Sequence, residues 1–296
     1  MCMDALDCGR LFAARQKEFN RRYRMPLFKC NFLSYTLHRA IDIHVIIPGV
    51  TSSEAEEPDV SHKPRWKYPV LYLLHGYCND YSVWGRYTSI ERYAEERQIA
   101  VVMFSAENNM YMKLEDIKQP NPIPLVMEPD YEKLLMKEIP EFVTGMFPIS
   151  KKPADTYIAG LSMGGYGALC NGYRYPARFR AVGAFSPLTT QRREKFRESD
   201  EVPAYLRKYE PFLLIQKAMK KGTVPDLYYS YGRDDFLLDC QDWFKEKLDE
   251  IGINYTSDIL DGYGHEWAFW DMQVEKFLDW IPRTDPYYLE KPKRQI

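Results

Sequence analysis

The sequence predicts an α/β protein, a mostly parallel central sheet with helices on both faces. Three observations lead there. Short, continuous apolar runs recur along the chain, the pattern of strands buried on both faces. Segments with helical character fall between those runs, the rhythm of a parallel sheet with crossover helices. At 296 residues, with 45% hydrophobic and 28% charged residues, the chain also has the length and balance that one such sheet can organise.

The elements follow in order. Residues 1–27 read as an N-terminal extension, locally basic over 10–24, and 28–296 as a single domain. Phe32–Leu37 and Ala40–Ile47 alternate well enough for an antiparallel pair, with His44 as a sheet residue inside it. The acidic, Pro- and Ser-containing segment 52–64 is expected to be an exposed loop and carries His62. Tyr68–Leu74 and Ile99–Phe104 are the first two buried strands, with a helix over Ile90–Glu96 between them. Residues 107–130 hold four prolines and no period, so they predict a long loop. Tyr131–Met146 predicts one helix with Leu134, Leu135, Ile139, Phe142 and Val143 on one side and a bend at Pro140. Asp155–Ala159, Ala181–Phe185, Asp226–Tyr231 and Tyr255–Leu260 complete the strands; helices are expected over Cys240–Ile251 and Trp267–Trp280. The charged segment 190–221 reads as a small cap-like insertion.

Composition narrows the class of function. Lys and Arg number 40 against 42 Asp and Glu, a net charge of −2, which gives no bulk electrostatic attraction to nucleic acid or membrane. The six cysteines include no C-x-x-C pair and no companion histidines, so no metal site is expected. Scattered thiols suit a reducing compartment, and acids near Met1 with no apolar run behind them do not resemble a signal peptide, so a cytoplasmic location is expected. Aromatic residues reach 15%, with 23 tyrosines. That excess fits a large core or an aromatic-lined pocket.

Chemistry concentrates at three places. Gly160-Leu161-Ser162-Met163-Gly164 is a G-x-S-x-G string between an expected strand and a helix that starts Gly165-Tyr166-Gly167-Ala168. The string is weak alone; its context makes Ser162 the apex of a sharp strand-to-helix turn, with helix N–H groups behind it. A nucleophilic serine needs a base. His265, in the glycine-flanked loop after the last strand, is the one of five histidines that lies after the serine. In this chain order the acid lies between them. Asp234 and Asp235 follow the fifth buried strand, and Asp235 is preferred because Phe236 and Leu237 would bury its surroundings; Asp234 would then be an exposed partner or an N-cap. The oxyanion donors are expected from Met163 N–H and from the His75-Gly76-Tyr77 loop, at Tyr77 N–H. His75 would orient that loop, and the nearby Cys78 reads as a packed or idle thiol.

These segments, with Leu74-His75-Gly76, Gly232-Arg233-Asp234-Asp235-Phe236-Leu237 and Gly264-His265-Glu266-Trp267, resemble the tributyrin-esterase and feruloyl-esterase branch of the α/β-hydrolases. That branch also holds the S-formylglutathione hydrolases (esterase D). The resemblance runs from about Phe28 to Pro282. It implies a cofactor-independent serine carboxylesterase acting on small acetyl, butyryl or feruloyl esters, with a thioesterase of the S-formylglutathione hydrolase kind as the alternative. It implies a triad of Ser162, Asp235 and His265. Tyr77, Trp84, Tyr111, Trp267 and Trp270 lie in or next to the site loops, so an aromatic-tolerant pocket is expected there, with His75 and Asn108 beside them. One segment departs from it. Where the tributyrin-esterase group carries a Gly-Trp-Tyr-like string, this chain reads Glu107-Asn108-Asn109-Met110-Tyr111, so its pocket is expected to differ. The basic N-terminus and the 190–221 insertion are the surfaces expected to serve any homo-oligomer.

Overall fold

The computed structural model describes residues 26–49, 61–113, 129–190, 202, 204 and 206–289. Almost all of the expected N-terminal extension, residues 52–60 of the acidic loop, 114–128 of the long loop and 191–201 of the insertion lie outside the described residues.

An eight-stranded sheet organises the rest, in the spatial order β1-β2-β4-β3-β5-β6-β7-β8. Strands β1 (Leu27–Ser34) and β2 (Arg39–Ile46) form an antiparallel hairpin with Ser34 opposite Arg39. Both strands begin earlier than their alternation suggested, and Tyr35–His38 are the turn. Hydrogen bonding explains the difference. Ser34 Oγ accepts from the N–H groups of Thr36 (3.2 Å) and Leu37 (3.0 Å), and the buried Glu138 carboxylate accepts from Tyr35 and Thr36 N–H (2.8 and 2.9 Å). Those bonds satisfy the backbone inside the turn and remove it from the ladder.

β2 joins β4 (Ala100–Phe104) antiparallel, and every later join is parallel, through β3 (Val70–Leu74), β5 (Thr156–Leu161), β6 (Ala181–Phe185), β7 (Asp226–Gly232) and β8 (Tyr255–Leu260). All residues of β3 and β4 are buried, as their unbroken apolar runs require. Their side chains still alternate between two layers: Val70, Tyr72 and Leu74 enter one core, Leu71 and Leu73 the other. On the first face lie α3 (Tyr131–Lys133), α4 (Ile139–Met146), α5 (Met163–Arg174), α6 (Pro211–Lys220) and α7 (Leu238–Ile251). On the second lie α1 (Val83–Tyr87), α2 (Ile90–Glu96) and α8 (Trp267–Trp280). A short α9 (Pro286–Leu289) follows.

One expectation needs correction. The helix over Tyr131–Met146 is divided by a π turn at Leu134–Glu138, and Pro140, just past that turn, offers no N–H to the preceding turn, whose Met136 O accepts from Arg178 instead. The described end of the 190–221 segment forms α6 and joins the sheet's helical layer. In α6, Leu214 and Ile215 are buried in the first core layer.

Candidate active site

Five loops meet at the carboxyl ends of the parallel strands, the edge where open α/β sheets place their sites. Each brings at least one expected residue there.

β5 ends at Leu161 and α5 begins at Met163, leaving Ser162 alone as the connection, at φ 52° and ψ −115°. That backbone is costly for a residue with a side chain and persists only where its surroundings fix it. Here Ser162 N–H donates to Phe185 O (2.9 Å), and Ser162 O accepts from Tyr166 N–H (3.0 Å) and Leu188 N–H (3.2 Å). The flanking glycines permit the turn. A Cβ on Gly160 would lie 2.5 Å from Gly164 C, and one on Gly164 would lie 2.5 Å from Leu74 O and 2.6 Å from His75 O. Turn, helix and loop are in backbone contact. Met163 N–H, in the first turn of α5, has no carbonyl within the helix to bond to, and the helix dipole is positive there.

His265 Nδ1 lies 2.8 Å from Asp235 Oδ2. Asp235 Oδ1 accepts from Leu237 N–H at 2.8 Å. Burial alone would raise the Asp235 pKa, but hydrogen bonds from His265, Leu237 N–H and Gln241 outweigh it and hold the carboxyl below its ordinary value. An ionised Asp235 accepts Nδ1–H, which leaves Nε2 of His265 as the basic nitrogen. Asp234 is exposed, and its N–H donates to Tyr263 O (3.0 Å). The reason given for preferring Asp235 is corrected: Phe236 is 78% exposed and buries nothing, although its ring stands 4.6 Å from that of His265. Asp235 is covered from the other side, through the fully buried Gln241. Among the described residues no hydrogen bond joins Ser162 Oγ to His265.

His75 has both ring nitrogens occupied. Nε2 accepts from Ala106 N–H (2.9 Å), so Nδ1 carries the proton and donates to Gly76 O (2.7 Å). Burial lowers its pKa, in keeping with this neutral form. The ring thereby ties the loop after β3 to the loop after β4. Cys78 N–H adds a second tie, donating to Asn108 Oδ1 at 2.7 Å. Cys78 is exposed rather than packed.

The expected pocket is corrected at three positions. His75 (1% exposed), Trp84 (0%) and Tyr111 (0%) stand behind the site and present no surface to a ligand. Trp84 turns inward to donate Nε1–H to Leu74 O (3.1 Å); Tyr111 packs under Gly167 and donates its hydroxyl to His75 O (3.1 Å). Asn108 is exposed, and Trp267 is half-buried with its ring stacked on Tyr87 at 4.9 Å. Of the expected aromatics, Tyr77 is exposed and the Trp270 ring meets that of His265 edge-on at 4.9 Å; exposed Phe236 escaped the pocket expectation. Gln241 also escaped it, since nothing in its helical pattern marks it. Among the described residues no group of three or more His, Cys, Asp or Glu side chains could hold a metal ion.

A parallel sheet with a strained serine after β5, an aspartate after β7 and a histidine after β8 defines an α/β-hydrolase of the serine type. The family model described as "Putative esterase" matches residues 56–277, and the chain belongs to that esterase family. An acetyl esterase from Caldicellulosiruptor saccharolyticus is 29% identical over 279 residues, 88% of this chain and 99% of the relative. Among solved structures, the substrate-bound fluorophosphonate-binding serine hydrolase F of Staphylococcus aureus is 25% identical with a TM-score of 0.71, covering 88% of this chain and 99% of its own. The apoenzyme of an S-formylglutathione hydrolase from the same organism is 26% identical with a TM-score of 0.68, covering 87% and 99%.

Proposed function

We propose that this esterase hydrolyses short-chain acyl or aryl-acyl esters through an acyl-enzyme, with Ser162 as nucleophile, His265 as base and Asp235 as its partner. The observation that carries the reading is the buried Asp235 carboxylate bonded to His265 Nδ1, at the same sheet edge as the strained Ser162. Ser162 Oγ attacks the ester carbonyl as His265 Nε2 takes its proton. Asp235 stabilises the imidazolium that forms, and the N–H groups of Met163 and Tyr77 receive the oxyanion. The imidazolium protonates the departing alcohol, and water, activated by the same histidine, releases the acid. Every step uses side chains and backbone of this chain. A single domain over 28–296 and a cytoplasmic setting belong to the same reading. The four described cysteines are free thiols, and no helix among the described residues is long and apolar enough to cross a membrane.

The test is Ser162→Ala assayed on p-nitrophenyl acetate and butyrate. Turnover falls about 10⁴-fold or more; full retention of hydrolysis sinks the reading. The S-formylglutathione hydrolase similarity supports a second reading, a thioesterase. A panel of S-formylglutathione, acetyl, butyryl and feruloyl esters ranked by kcat/KM separates the two.

A further inference from the structure

At the opposite end of the sheet from Ser162, a cavity of about 370 Å³ opens between the starts of β3, β5 and β6 and the helical stretch 134–144. Its chemistry is uneven. The floor is apolar, with Leu135 and Phe179 buried, while Lys137, Lys151 and Arg178 stand around it against a single carboxylate, Glu141. Among the described residues none of those three cations is in an ion pair. Arg178 spends one N–H on Met136 O, in the π turn that forms one wall, and keeps its other donors. Glu141 is engaged on its far side by the Tyr35 hydroxyl at 3.0 Å.

The hydroxyls of the lining sort in the same direction. Thr144 donates to Pro140 O (2.7 Å), Ser150 to Asp155 (2.6 Å) and Thr156 to Lys152 O (2.9 Å). Tyr72 is the exception. It is 3% exposed, lines the cavity, and its hydroxyl has no hydrogen-bond partner among the described residues. That hydroxyl is free to donate to a ligand acceptor in the cavity. Burial raises its pKa, so it stays a donor, and the field of Arg178 reaches it.

We propose that this cavity binds a small organic carboxylate, with Tyr72 Oη and Arg178 holding the carboxylate and Leu135 and Phe179 covering its apolar tail. A bare inorganic anion would leave the apolar floor unused; a neutral ligand would leave the cations unused. An acid of this kind has the chemistry of an ester-hydrolysis product, bound here at a distance from the reacting serine.

The test uses full-length protein whose Ser162 has been blocked with a fluorophosphonate, titrated calorimetrically with benzoate, butyrate and inorganic phosphate. Benzoate binds the blocked protein. Arg178→Gln weakens it about tenfold and Tyr72→Phe about fivefold, the scale of a charge-assisted and a neutral hydrogen bond. Both variants keep the kcat/KM of the unblocked enzyme on p-nitrophenyl butyrate. Tyr72→Phe removes a hydroxyl without a partner, so it melts no lower than the parent but loses the benzoate-induced rise in melting temperature. The proposal is overturned if blocking Ser162 abolishes benzoate binding, if neither variant weakens it, or if phosphate binds as tightly as benzoate.

Discussion

Asp235 and His265 meet across 2.8 Å, with the Asp235 side chain wholly excluded from solvent and that of His265 14% exposed. The pair is asymmetric: one partner is fixed by burial, the other reaches outward to where an ester would sit. Replacing Asp235 by Asn keeps the volume but offers an amide N–H or a weaker acceptor to Nδ1. The expected outcome is a fall in kcat of about 10⁴-fold with little change in KM for p-nitrophenyl butyrate. Retention of more than a tenth of the parent rate would remove Asp235 from the mechanism.

The same carboxylate has a signature in stability. Its folded pKa is depressed, so its contribution is fully present above the unfolded carboxyl value of about 3.9 and is lost as pH falls through the lower folded value. Melting temperatures of the parent and Asp235→Asn should therefore differ by a constant amount at neutral pH. The gap should close below about pH 4. A gap that widens on acidification would contradict the assigned direction.

His75 should matter to rate through the loop it ties rather than through proton transfer. His75→Ala cuts its bonds to Gly76 O and Ala106 N–H and leaves a void beside Tyr111. We expect a stability loss of about 2–4 kcal/mol. We also expect kcat to fall about 10²-fold as the Tyr77 donor loses its position. Steady-state kinetics with butyrate and acetate esters check this. A change confined to KM would mean the loop binds substrate without serving the transition state.

Gly164→Ala tests the backbone contact behind Ser162. The new Cβ would meet Leu74 O and His75 O, neither of which is a flexible side-chain end. The expected cost is about 3 kcal/mol or more, read by denaturant unfolding. Near-parent stability would show that helix and loop can part without harm.

Phe236 gives the contrasting case. Its ring is exposed beside His265, so Phe236→Ala should change stability by less than about 0.5 kcal/mol. An aryl-acyl ester should lose about fivefold in kcat/KM, the worth of one aromatic contact, while an acetyl ester loses little. Equal losses on both would place the ring outside the acyl subsite.

Which features the sequence revealed follows from how local each one is. Ala181–Phe185 and Trp267–Trp280 were legible to the residue, because an apolar run or a helical period is decided by neighbours along the chain. So was the serine turn, whose glycines sit within five residues. The turn after β1 was not, because Glu138, over a hundred residues away, supplies the acceptors for Tyr35 and Thr36 N–H that hold it beside the local Ser34 hydroxyl. The pocket was misread for the same reason. Trp84 and Tyr111 lie near site loops in sequence, but hydrogen bonds to Leu74 O and His75 O, together with Gly167 above Tyr111, draw them inward. Phe236 was expected to pack because it is apolar, yet its place beside His265 leaves it in water.

The contacts that fix the reacting groups run largely through the main chain: Gly160 and Gly164 against Leu74, and His75 between Gly76 O and Ala106 N–H. Main-chain atoms survive substitution. Tyr77 and Phe236 face solvent and hold none of these contacts, so their identities are free to drift. A lineage could therefore exchange one ester for another by altering its rim alone. Libraries randomised at Tyr77 and Phe236 should yield new preferences far more often than inactive protein.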